Sequence, residues 1–171
     1  MPLLEAGRSV ADRYAIVIDD TALPDGPALV PLARLQREAE ALAGRNAELG
    51  VIVPSTARPE DVAALLDRVS LVAVEFPKFR DGRGFTIART LRERYGYTGE
   101  IRAIGHLLPD QHRQALRCGF SSVAVPDDAD LAPWQSAPGR FQIAYQPDAA
   151  NDERPFSGLR RRPLSPAAPL R

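Results

Sequence analysis

Lysine is almost missing from this 171-residue chain, which writes twenty-one of its twenty-two basic residues as arginine and only Lys78 as lysine. Cysteine occurs once, at Cys118, so neither an internal disulfide nor the thiolates of an iron–sulfur cluster are available. Two histidines are few for a metal site, and none is expected. Net charge is absent too. Twenty-two acids balance the twenty-two bases, which removes the global footprint of a nucleic-acid binder and leaves any anion preference to local patches. No segment approaches the roughly 18 apolar residues of a membrane span. The start, "MPLLEAGRSVADR", lacks a basic region followed by a long apolar run. A soluble cytoplasmic protein without membrane or nucleic-acid partners is the expectation, with a length that suits one core.

Apolar runs alternate with helical periodicities, the pattern of βα units around a mostly parallel sheet. "YAIVI" (14–18) reads as a strand, although "DDTALPDGPALV" leaves open an antiparallel hairpin there. "PLARLQREAEALA" (31–43) puts Leu32, Leu35, Ala39 and Leu42 on one helical face. "GVIV" (50–53) is a buried strand, and Pro59 opens a helix with Val62, Leu65, Leu66 and Val69 inward. "LVAVEF" (71–76), "IRAI" (101–104) and "SVAV" (122–125) complete the strands. Between them lie a helix presenting Ile87, Ala88, Leu91 and Tyr95, and another opened by Pro109 and ended by Gly119. "FQIAY" (141–145) suits an edge strand. The spacing predicts a three-layer α/β sandwich, flavodoxin-like or receiver-like, over residues 1–147. Residues 148–171, rich in Pro and Arg and without periodicity, are expected to be disordered.

In open α/β sheets ligands bind outside the carboxyl ends of the strands, where "FPKFRDGRGF" (76–85) falls. From Phe76 to Arg94, six basic residues oppose Asp81 and Glu93, a local excess of four positive charges. The loop runs into a helix N-terminus, which attracts anions, and Gly82 and Gly84 let a backbone approach a ligand. Lys78, Arg80, Asp81, Gly82, Arg83 and Gly84 are therefore candidate binding residues for a phosphate, a sulfur oxyanion or a carboxylate. The loop matches neither the phosphate-loop nor the dinucleotide pattern, and local roles compete with binding: Asp81 as helix cap, the glycines as turns, Phe76, Phe79 and Phe85 as packing. Lys78 stands apart because a compact ammonium and a planar guanidinium suit different sites.

Other strand ends hold Asp19 with Asp20, Glu75, and Asp127 with Asp128, and the acid pair after the first strand with the acid ending the third has the layout of response-regulator receivers. Glu75 replaces the phosphoaccepting Asp, however, and no Lys follows the fifth strand, 122–125, which argues against phosphoryl acceptance. His106 is a lone loop histidine, Cys118 suits packing, and no nucleophile, base and orienter form a set. No catalytic residue and no cofactor are assigned.

The run "FPKFRDGRGFTIARTLRERYGYTGEIRAIG", followed by "DQ" and "RCGF", resembles a bacterial family known only as a domain of unknown function, number nine-three-four. The resemblance spans about Leu49 to Gln146. Its pattern includes Lys78, Asp81, Gly82, Arg83 and Gly84, and adds Arg102, Asp110, Gln111 and Arg117 as candidate site residues. Where the family usually reads Gly-Asp, this chain has Gly105-His106. Members are typically encoded beside the sulfite reductase hemoprotein, so the resemblance implies a cytoplasmic accessory role in sulfite reduction. Two classes remain open: a non-catalytic partner of that hemoprotein or its electron donor, and a small-ligand protein or enzyme holding an oxyanion or phosphorylated nucleotide.

Overall fold

The computed structural model describes residues 2–139 apart from 6, 19 and 43; the expected strand 141–145 and the segment 148–171 lie outside these residues. Eight strands form one mixed sheet in the order β2-β1-β8-β7-β6-β5-β4-β3. They are β1 (Leu3–Glu5), β2 (Arg8–Val10), β3 (Ala15–Ile16), β4 (Ala28–Pro31), β5 (Leu49–Val53), β6 (Leu71–Phe76), β7 (Glu100–Gly105) and β8 (Ser122–Ala124). From β3 to β8 every pairing is parallel. The hairpin β1–β2 joins β8 antiparallel.

The helices are α1 (Leu32–Arg37), α2 (Ala39–Leu42), α3 (Pro59–Ala63), α4 (Arg83–Glu93), α5 (His112–Arg117) and α6 (Leu131–Ser136). Their inward residues, among them Leu32, Leu35, Val62, Ile87, Leu91, Ala115 and Trp134, join one core with Val51, Val53, Val72, Val74, Phe76, Ile101 and Val123. Those strand residues share one side of the sheet, because side chains alternate along a strand. Among the described residues the opposite side carries a smaller cluster, Tyr14, Leu29, Leu71 and Ala73, with Ile52 and Ile104 against it.

Thus the expected three-layer sandwich does not form: among the described residues the helical core lies on one side. Strand order explains this. From β4 to β8 each strand lies beside its predecessor, and right-handed crossovers that never reverse direction put every helix on the same side. A flavodoxin- or receiver-like sheet needs a reversal, which this order lacks.

A short connection requires the sheet to curl. β2 and β3 are its opposite edges, and seven strand spacings would part them by about 34 Å in a flat sheet. Val10 and Ala15 are only five residues apart, a reach of at most about 18 Å. The edges therefore bend toward each other, as in an opened barrel, with helices outside and residues 11–14 strapping the concave side.

That strap is held by polar contacts. The Tyr14 hydroxyl donates to Glu48 Oε2 at 2.6 Å and lies 2.9 Å from Ser70 Oγ. Arg13 Nη1 donates to Glu48 Oε1 at 2.8 Å, and the buried Arg102 donates to Asp12 Oδ2 at 2.8 Å and to Glu100 Oε1 at 3.1 Å. Hydrogen bonds from Tyr14 and the neighbouring Arg13 hold the Glu48 carboxyl below its usual range.

Other expectations are corrected locally. β3 is a short edge strand parallel to β4, which excludes a hairpin across 19–30; the hairpin is β1–β2, turning at Gly7. The helix expected over 31–43 begins after β4 and breaks at Glu38, whose carboxylate binds both Arg34 and Arg37. Helix α6 was not anticipated, although Asp130 caps it by accepting from Ala132 N at 3.0 Å. No helix among the described residues is long and apolar enough to cross a membrane.

Candidate functional site

Strand β6 ends in Phe76 and delivers residues 77–82 to the carboxyl edge of the sheet. Phe76 is fully buried, 4.9 Å from the Phe85 ring and 5.8 Å from Phe120, so three aromatics floor the loop. Gly84 makes room for this floor: a Cβ there would lie 2.6 Å from Phe76 Cζ. Its role is packing rather than a ligand's approach. Gly82 has an ordinary φ of −79° and caps α4.

Asp81 organises the start of α4. Its Oδ1 accepts from Arg83 N at 3.2 Å and Arg83 Nε at 2.9 Å; its Oδ2 accepts from Arg83 Nη2 and Ser55 Oγ, each at 2.7 Å. Donation by Arg83 and Ser55 holds the Asp81 carboxyl far below its usual range. The chain's own carboxylate therefore occupies the position an anion would take at this helix end, and Arg83 is committed to it. Ser55 was not singled out from sequence, since it lies 26 residues from Asp81 and meets it only because β5 pairs with β6.

The expected excess of positive charge is largely neutralised or sequestered. Arg89 pairs with Glu93 at 2.9 Å and Arg94 with Glu60 at 3.6 Å. Arg92 is drawn inward to the carbonyls of Tyr97, Gly99 and Gly119, and burial lowers its pKa. Lys78 and Arg80 remain as exposed cations without an acidic partner among the described residues. Arg80 lies over the Phe79 ring at 5.2 Å, and Phe79 is 45% exposed. Pro77, Lys78, Phe79, Arg80 and His106 line an open cleft of about 410 Å³.

His106 arrives from the end of β7, where its N–H donates to Phe76 O at 2.7 Å. The turn requires Gly105, at φ +93°, since a Cβ there would sit 2.5 Å from that oxygen. Gln111 buckles the two loops together: its Nε2 donates to Phe79 O at 2.9 Å and its Oε1 accepts from Leu108 N at 3.1 Å. Asp110 is its exposed neighbour.

Two expected members fall elsewhere. Arg102 is buried on the concave side in the strap's ion-pair network. Arg117 lies in the last turn of α5, six residues beyond Gln111 and about 9 Å further along that segment at helical rise. Lys78, Arg80, Asp81, Arg83 and Gln111 do share one edge. Among the described residues no group of three or more metal-ligating side chains converges.

Residues 50–156 match the sequence model of a family described as bacterial protein of unknown function, DUF934. No curated protein matches the chain significantly.

Proposed function

The chain belongs to this bacterial family, and from that premise we propose that it is a non-catalytic accessory of assimilatory sulfite reduction, docking on the sulfite reductase hemoprotein or its electron donor. The observation carrying this reading is the exposed Lys78-Phe79-Arg80 tip beside His106, with the neighbouring Arg83 already matched by Asp81. A protruding aromatic between two unmatched cations suits an acidic protein surface, where aromatics anchor and charges steer. A small oxyanion is less well served, because Asp81 already accepts at the helix end and Arg83 is bound to it.

Binding of the full chain to purified hemoprotein and to its electron donor tests the reading. Association with one of them should weaken steeply as chloride rises, since exposed charges are screened beyond about 10 Å at 0.1 M salt. Lys78→Glu with Arg80→Glu should abolish it without changing the melting temperature. A deletion strain should grow poorly on sulfate and normally on cysteine. No binding to either protein, with normal growth on sulfate, overturns the proposal.

A further inference from the structure

At the carboxyl end of the curled sheet the strap no longer covers the concave side. Ile16 is 51% and Ile18 77% exposed, on the same side of the edge segment, facing the half-buried Ile52 and Ile104. With Pro31, Pro54 and Ala57 they line a cavity of about 550 Å³. This volume lies within the range of small-molecule sites, roughly 300–1,000 Å³, and the position is the mouth of an opened barrel. The lining carries two acids and no base. Asp61 is already paired with Arg58 at 3.1 Å. Glu75 is exposed, in register with Ile104 across the β6–β7 pair, and has no hydrogen-bond or ion-pair partner among the described residues.

The geometry points to a second site, independent of the Lys78 loop, that binds a small organic cation with its apolar body against Ile16, Ile52 and Ile104 and its ammonium on Glu75. Charge sets the class: an apolar anion would meet two carboxylates and no donor side chain except Gln36. The strand itself supplies the contrast, since Val72, Val74 and Phe76 face the helices while Leu71, Ala73 and Glu75 face this side.

Tryptamine and indole-3-propionate offer similar apolar bodies with opposite charges. Titrated into the full chain, tryptamine should raise the melting temperature and shift the amide signals of Ile16, Ile52, Glu75 and Ile104, while indole-3-propionate should do neither at equal concentration. Glu75→Gln should lower tryptamine affinity by about fivefold or more, as loss of a charge-assisted contact requires, without altering the ligand-free melt. Ile18→Ala, at an exposed position, should weaken tryptamine also. Equal binding of both probes, shifts confined to Phe79 and His106, absence of binding, or a face shown by dilution to be covered by a second copy would each overturn the assignment.

Discussion

The two sides of one sheet differ more than its neighbouring strands do. The convex side is an apolar core roofed by helices; the concave side holds a small apolar cluster under a strap fixed by polar contacts and is bare at its mouth. Both sides are read from the same residues in alternation, so the difference comes from what the connections lay over them. Crossovers of constant hand cover one side and leave the other to residues 11–14, which reach only part of it.

Phe76 should show the largest asymmetry. Phe76→Ala empties the floor beneath the loop and should cost about 3–5 kcal/mol in urea unfolding, whereas Ile18→Ala across the sheet should stay within about 0.5 kcal/mol. Comparable losses at both positions would break the distinction between covered and bare sides.

Tyr14 sharpens it within the concave side. Tyr14→Phe removes a hydroxyl shared by Glu48 and Ser70 and should cost about 1–2 kcal/mol. Double-mutant cycles with Ser70→Ala should reveal coupling between them if the strap is held there.

His112 makes the convex side sensitive to acid. It is fully buried, with Nδ1 2.8 Å from Trp134 O and Nε2 without a partner among the described residues, and burial lowers its pKa from 6.5. The unfolded chain then binds a proton that the folded one resists. Stability should be unaffected by this group well above pH 6.5 and should fall as pH drops below it, by the linkage sign. His112→Phe should flatten that part of a melting-temperature profile; an unchanged slope would exclude this origin.

The smallest expected effect is at Lys78. Lys78→Arg should leave stability within about 0.5 kcal/mol, since the side chain is exposed, while weakening a partner contact fitted to an ammonium.

Legibility tracked the range of the forces involved. Strand β6, the inward residues of α4 and the placement of Lys78 after a strand end follow from alternation, helical period and the loop's position, all local. The hairpin β1–β2 is not legible because its strands are three residues each, too short to display an alternation. The family pattern singled out Arg102 and Gly84 without their reasons: one completes an ion-pair network with Asp12, ninety residues away, and the other admits Phe76.

By its sequence alone this chain settled where β3, β5, β6, β7, β8 and most helices form, and that the family's Phe-Pro-Lys-Phe loop follows β6, because those depend on neighbours within a few residues; β1, β2 and β4 are too short to show a period of their own. Tertiary structure decided the rest: that among the described residues the helical core lies on one side of the sheet, that Arg83 is matched by Asp81 and Ser55 while Lys78 is not, and that Glu75 faces a bare apolar mouth. Strand order and sheet curl bring residues 26 to 90 positions apart into contact, and no local period encodes which of them will meet.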